Sequence, residues 1–274
     1  MLISIITPTF NSANSIQKTV RSVISQSYKN FEHIIIDNLS KDNTLELIKD
    51  IYKKAGFENK LKIITEKDNG IADAFNKGIE NSSGEIIGIL NSDDILYDDS
   101  ILFLINETLS QPNKLIAHGN IFFEDNVYGS NIRFPLKDKI LGVGFNHPGM
   151  FVNSDVYKRT GLYNSEMHYA MDIDFFLRLQ KKYEGIEQVS SYINHPLVTM
   201  KAGGASWINE VKALKEVKTA LIRNNLWNSD ARKYYLERIT RTRIKSFLTC
   251  IGLQRIVSIW RNNKWGDSND SQRG

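Results

Sequence analysis

The sequence predicts an α/β protein in which a parallel sheet covered on both faces is followed by a mixed-sheet half and a C-terminal helical extension. Three observations carry this prediction. Apolar β-branched runs alternate with helical periodicity through the first hundred residues, polar groups recur at the ends of those runs, and the pattern changes to short strands and turns after Leu115.

Taken in order, residues 2–7 read as a first strand, followed by a helix with Ile16, Val20, Val23 and Ile24 on one face. A strand at 31–36 leads into a helix around Leu45, Ile48 and Ile51 that ends at Gly56. A strand at 61–65, a third helix at 71–79 and a strand at 85–90 complete the series. Sequential β-α-β connections imply parallel pairing. From 115 to 152 short strands and turns, including Asp125-Asn126 and Tyr128-Gly129, predict a mixed or antiparallel half. A helix at 172–182, a strand region at 187–200, the pair Gly203-Gly204 and helix from 206 to about 260 follow.

Composition excludes several classes. A single cysteine, Cys250, rules out a disulfide framework within the chain and fits a reducing compartment, so a cytoplasmic location is expected. Residues 1–8 lack a basic leader and a cleavage site and read as strand rather than signal peptide. No apolar run is long enough to span a bilayer. The formal charge of +4 is mild but uneven: residues 232–264 hold nine Lys/Arg and one acid, Glu237. That segment predicts an anionic partner surface, either a membrane face or, with its charges solvated, a helix packed on the protein or in a homodimer. No nucleic-acid partner is expected, and His33, His118 and His168 show no zinc spacing.

The chemistry concentrates at strand ends. The apolar run 84–90 terminates in Asn91-Ser92-Asp93-Asp94, and adjacent carboxylates repel one another and resist dehydration. A hard divalent cation, Mg2+ or Mn2+, removes that penalty and holds a diphosphate against the same oxygens. The other reading makes these acids caps for the helix that begins near Ile101. In parallel α/β sheets ligands collect at C-terminal strand ends. Pro8-Thr9-Phe10-Asn11, Asp37-Asn38, Glu66-Lys67-Asp68 and Asp93-Asp94 all fall there.

Taken as a series, Thr7-Pro8-Thr9-Phe10-Asn11, Ile36-Asp37-Asn38, Glu66-Lys67-Asp68-Asn69-Gly70 through Gly78, and Leu90-Asn91-Ser92-Asp93-Asp94 resemble the family 2 glycosyltransferases of GT-A fold over roughly residues 1–200. The resemblance implies a Rossmann-like nucleotide-binding sheet with a mixed-sheet acceptor half, and inverting transfer of a sugar from a nucleotide-diphosphate donor to a hydroxyl. It implies a GT-A catalytic domain at 1–205, divided into a nucleotide-sugar half (1–114) and an acceptor half (115–205). A helical extension at 206–265 and a disordered tail at 266–274 complete the expected domains.

By position, Asp37 is implied to bond the nucleoside and Asp68 the base edge, with Pro8, Thr9 and Phe10 against the nucleotide. Phe10 replaces a common tyrosine, which keeps stacking but loses the phenolic hydrogen bond. Asp37 also suits a turn. Asp73 and Asn76, one helical turn apart, face either the donor or solvent. Asp94 is implied as the direct Mn2+ or Mg2+ ligand and Asp93 as the contact to ribose or to metal-bound water.

Inversion requires a base opposite the leaving group. Ala170-Met171-Asp172-Ile173-Asp174-Phe175 resembles the family's acidic motif and places Asp172 in that role. Many relatives carry a second acid where this chain has Met171. The alternative for Asp172 is an acid stabilised by its helix dipole. His147 is a candidate lining the acceptor pocket or a buried, hydrogen-bonded histidine. Gly204, within a flexible-looking segment beside His195-Pro196, is a candidate for closure over the diphosphate.

These implications predict a UDP-sugar donor and a glycan or lipid-linked glycan acceptor in bacterial surface polysaccharide or lipopolysaccharide synthesis, with peripheral contact at the inner membrane face. The competing classes are a catalytically silent nucleotide-sugar-binding or membrane scaffold and a sugar nucleotidyltransferase. The latter is disfavoured because no glycine-rich phosphate loop follows the first strand.

Overall fold

The computed structural model describes residues 1–125, 129–135, 140–142, 144–201, 204 and 209–251. Isoleucine-rich runs form β1 (Ile3–Thr9), β2 (Phe31–Asp37), β3 (Leu61–Thr65) and β4 (Ile86–Ile89). Between them lie α1 (Ile16–Ile24), α2 (Thr44–Ala55) and α3 (Ile71–Glu80). A short β5 (Ile95–Leu96) and α4 (Ile101–Leu109) follow. The later half adds β6 (Ile116–Glu124), β7 (Asn131–Arg133), β8 (Met150–Asn153), α5 (Ser154–Thr160), α6 (Met171–Lys182), the single turn α7 (Ile186–Val189) and β9 (Ser190–Lys201). Two helices end the described chain, α8 (Glu210–Arg223) and α9 (Ser229–Cys250).

Among the described residues these strands make one sheet of order β3-β2-β1-β4-β8-β6-β9-β5, with β7 paired to β6. The first four strands are parallel, and β8 is antiparallel to both β4 and β6. The register pairs Thr9 with Asp37 and Asp37 with Thr65, so the polar strand ends lie side by side.

Alternation along the strands divides the core between two faces. Ile6, Ile34, Ile36, Ile87 and Ile89 join Phe75 of α3, Phe175 and Leu179 of α6, and Ala220 and Leu221 of α8 in one cluster. Ile3, Ile5 and Ile86 face the other way with Ile101, Leu102 and Ile105 of α4. Each fully buried isoleucine contributes about 1.5–3 kcal/mol. The helices α6 and α8 therefore pack on the same sheet face as α3.

Three expectations change. The first strand of the later half is nine residues long rather than short, because β6 is buried between β8 and β9 on both edges. Its pairing to β9 is parallel and shifts register around Asn120, a bulge of the kind that re-aims side chains. The strand region expected from 187 begins with the turn of α7. The C-terminal helix is interrupted, since Asn225 takes a left-handed φ of 62° and separates α8 from α9. Gly204 is exposed, whereas its neighbours Gly203, Ala205 and Ser206 lie outside the described residues. So do Asn126, Tyr128, residues 252–265 of the expected helical extension, which include the basic Arg255, Arg261 and Lys264, and the tail at 266–274. No described helix is long and apolar enough to cross a membrane.

Candidate active site

The loops that leave β1 to β4 are laced together by side chains suited to turns. Asn11, at a positive φ of 48°, accepts the Lys41 N–H on Oδ1 (2.8 Å), and its own N–H donates to Ser40 Oγ (2.9 Å). The Asp68 N–H donates to Asn38 Oδ1 (3.0 Å), and the Ser12 and Ser92 hydroxyls meet at 2.9 Å. All four strand ends thus form one floor, with Phe10 standing 56% exposed beside it.

Two buried oxygens at the ends of β1 and β2 have no hydrogen-bond partner among the described residues, Thr9 Oγ1 and Asp37 Oδ1. Their residues are register partners on β1 and β2. The second Asp37 oxygen accepts the Ser40 N–H at 3.1 Å. An unpaired buried acceptor costs about 1–3 kcal/mol, so two adjacent ones mark a place where a ligand donor fits. Asp68 lies nearby. Burial, with help from Asp73 and Asp37, raises its carboxyl above the ordinary range against the Gly70 N–H, which donates to it at 3.0 Å.

Asp73 and Asn76 are more engaged than their spacing suggests. Asp73 Oδ2 accepts the Asn69 N–H (2.9 Å) and lies 3.6 Å from Lys77 Nζ, so it braces the first turn of α3. Asn76 donates through Nδ2 to the Tyr163 carbonyl and accepts the Tyr163 N–H on Oδ1, both at 2.9 Å. Through both amide atoms α3 holds the segment that leads into α6.

At the end of β4, Asp94 is buried and Asp93 exposed. Burial first, and the Asp93 charge second, push the Asp94 carboxyl up to about 7, opposed by the Asn91 side-chain amide donating at 3.0 Å. Asn91 Oδ1 is itself buried and unpartnered. Among the described residues no group of three or more His, Cys, Asp or Glu side chains gathers for a metal. The Asp93 and Asp94 carboxylates, with Asn91 Oδ1, are oxygen atoms of the kind a hard divalent cation takes as ligands.

Asp172 begins the first turn of α6. Its Oδ1 accepts the Ile173 N–H at 2.8 Å. Burial pushes this carboxyl up to about 6, with a smaller contribution from Glu216 of α8. A carboxylate poised near neutral pH suits proton abstraction.

Just before β8, His147 stacks on Phe75 with ring centroids 5.2 Å apart and its Nε2 meets the Tyr163 hydroxyl at 3.2 Å. Burial pulls this imidazole down to about 4, leaving it neutral near pH 7. His195 Nε2 lies 2.7 Å from Asp98 Oδ2, near the β5–β9 pair. His33 bridges the Thr7 hydroxyl (2.9 Å) and the Tyr52 hydroxyl (2.6 Å) within the core and serves the fold.

Sequence reasoning missed Tyr163 and Glu216. Tyr163 lies under an aromatic group with Phe75, Tyr157 and Phe175, and Glu216 caps the segment before α6. Both act through contacts distant along the chain, and neither belongs to a local motif.

Comparison with known proteins agrees with this geometry. The sequence model described as glycosyl transferase family 2 matches residues 4–165. A chondroitin synthase of Pasteurella multocida is 28% identical over 185 residues, covering 66% of this chain and 19% of that protein. The chain therefore spans about a fifth of that relative's length. Among solved structures, S. aureus TarS 1-349 in complex with UDP-GlcNAc is similar with a TM-score of 0.65 and 16% identity, over 87% of this chain and 72% of the other. A mannosyltransferase from Pyrobaculum calidifontis in complex with GDP-Man and Mn2+ gives a TM-score of 0.59 and 15% identity, over 93% and 80%. At such identity the structures speak for the fold, and the expected α/β GT-A architecture is the one observed. The family match ends before Asp172.

Proposed function

The chain belongs to glycosyl transferase family 2, and from that premise we propose that it is an inverting glycosyltransferase acting on a nucleotide-diphosphate sugar, with UDP-sugar as the donor class. The observation that carries this reading is the line of polar groups at the ends of β1 to β4, where Thr9 and Asp37 each hold an unpartnered buried oxygen beside the raised carboxyls of Asp68 and Asp94. In this reading Asp37 and Asp68 bind the nucleoside, Phe10 lies on the base, and Asp93 and Asp94 would hold Mn2+ or Mg2+. That ion would supply neutralisation of the charge developing on the departing nucleoside diphosphate.

Asp172 takes the proton of the acceptor hydroxyl as its oxygen attacks the anomeric carbon. The anomeric C–O bond to phosphate breaks with its electron pair leaving on the nucleotide. Tyr163 and the neutral His147 line the acceptor side. Residues 1–205 form the catalytic unit in this account, and 206–265 the extension.

The acceptor class we assign is a glycan or lipid-linked glycan, in keeping with a relative that is a chondroitin synthase. A lipid-linked acceptor agrees with the surface of α9. Leu236, Ile244, Phe247 and Ile251 are 60%, 50%, 63% and 52% exposed, and their spacing puts them on one helical stripe. Lys233 and Arg243 project from the same side by helical spacing, so an anionic lipid surface complements it and a second copy of the same basic stripe does not.

The test is a transfer assay with UDP-sugars and a glycan acceptor series. Native protein releases UDP only with acceptor and Mn2+ or Mg2+, while Asp172→Asn binds donor and transfers about 10²-fold or more slowly. Undiminished transfer by Asp172→Asn contradicts the assignment of the base.

A further inference from the structure

We propose that Glu216, carried by α8 in the C-terminal extension, is a positioning residue for Asp172 that sets the approach of the catalytic helix to the donor. The inference rests on the reading of Asp172 as base. It adds a part of the machinery that lies beyond the family match at 4–165.

The amides at a helix N-terminus have no partner within the helix and need an acceptor from elsewhere. At the start of α6 the cap position is Ala170, which offers no side-chain oxygen, and Met171 brings no acid. Glu216, from another element, takes the Ala170 amide at the cap position together with the two amides before it. Its Oε2 accepts the N–H groups of Tyr169 (2.7 Å) and Ala170 (2.9 Å), and the His168 N–H donates to Oε1 (3.0 Å) and Oε2 (3.1 Å). Charge-assisted bonds of this kind are shorter and stronger than neutral ones, and a carboxylate at this end also complements the helix dipole. One side chain thereby fixes three consecutive residues directly before Met171 and Asp172.

The fixed segment also reaches the donor side. A Cβ at Gly70 would stand 2.8 Å from His168 Nδ1, so the His168 ring lies against the Asp68-Asn69-Gly70 turn. The same three-residue strap therefore touches the nucleoside-binding turn at one end and carries Asp172 at the other.

The anchor itself is rigid. Leu214, Val217, Ala220 and Leu221 of α8 are buried, and Asn224 Nδ2 donates to Asp174 Oδ1 at 3.2 Å. Farther back, Glu210 accepts from Thr242 Oγ1 (3.1 Å) and Lys245 Nζ (2.6 Å), which ties α9 to α8.

The groups acting on Asp172 from neighbouring segments are Glu216 from α8 and Tyr163 from the loop before α6, with His147 bonded to the Tyr163 hydroxyl. On its own helix, Asp174 is paired with Arg178 at 2.9 Å. The Glu216 charge disfavours ionisation of Asp172 and holds its pKa up.

The experiment compares Glu216→Ala, Glu216→Gln and Asp172→Asn in the full chain, measuring donor affinity by calorimetry, kcat, and the pH dependence of kcat/KM. The expected result is that E216A loses about 10²-fold in kcat, as misplacement of a reacting group does, while donor affinity stays near native. E216Q keeps an acceptor oxygen but no charge, so it retains more of the rate and its acid limb moves to lower pH. A native kcat in E216A overturns the proposal. If E216A does not fold, E216Q decides: a lowered kcat at near-native donor affinity supports the proposal, and a native kcat overturns it. Full transfer by D172N, in contrast, overturns the assignment of the base and not the strap.

Discussion

Asn76 closes a two-point clamp on Tyr163, donating to its carbonyl and accepting its N–H at 2.9 Å each. The clamp joins α3, which follows the nucleoside-binding turn, to the segment that delivers Asp172. Removing it leaves two main-chain groups of a buried residue unpaired, so Asn76→Ala is expected to cost about 2–3 kcal/mol. Asn76→Asp costs at least as much, because a carboxylate cannot donate to the Tyr163 carbonyl. Thermal unfolding checks both, and native stability in either variant contradicts the clamp.

Gly70 gives a second prediction. Its φ of 123° is a glycine conformation, and any side chain there meets the His168 ring. Gly70→Ala is expected to lower stability by about 1–3 kcal/mol from the backbone alone and to weaken donor binding. Adding His168→Ala removes the collision but not the backbone strain, so the double variant recovers only part of the loss. Full recovery would mean that the strain is absent.

The pH dependence follows from Asp172, whose carboxyl burial lifts to about 6. Proton abstraction needs the ionised form, so kcat/KM is expected to rise with pH through about 6 and then level off. Stability moves the opposite way. The folded value lies above that of the unfolded chain, near 3.9, so the folded state binds the proton more tightly and loses stability as pH rises from about 4 to about 6. Asp172→Asn is therefore expected to raise the melting temperature at about pH 8 and to change it little at about pH 4, measured by calorimetry in buffers of matched ionic strength.

For α9, the prediction concerns lipid. Ile244→Ser and Phe247→Ser together are expected to abolish sedimentation with phosphatidylglycerol vesicles while leaving transfer to a water-soluble acceptor intact. Phosphatidylcholine vesicles should bind native protein weakly, since they lack the anionic charge. Equal binding of native and substituted chains would show that this stripe is covered by something other than lipid.

The order of strands and helices through Leu90 was legible because each element carries its own periodicity. Ile3, Ile5, Ile34 and Ile36 are spaced as strand residues, and Gly56 stops α2 with a left-handed φ of 69°. The four polar strand ends were legible for the same reason, since each directly follows its strand. The partners of those residues were not. Asn76 sits on a helix face that reads as solvent-facing until Tyr163, 87 residues away, takes up both amide atoms. Glu216 lies 46 residues from Ala170 and looks like any surface acid of a basic, amphipathic extension. Contacts at that separation leave no local spacing to read, and β6 looked short because its turns, rather than its buried centre, dominate the pattern.

The most direct test of the donor site is a calorimetric titration of native protein and Asp94→Ala with UDP, GDP, dTDP and CMP, with and without Mn2+. The account predicts that UDP binds native protein, that Mn2+ strengthens binding, and that the Mn2+ effect disappears in Asp94→Ala. Saturating UDP and Mn2+ at about 100 times the dissociation constant should add about 2.7 kcal/mol to native stability. Absence of binding by every nucleotide to folded native protein, with or without Mn2+, would contradict it.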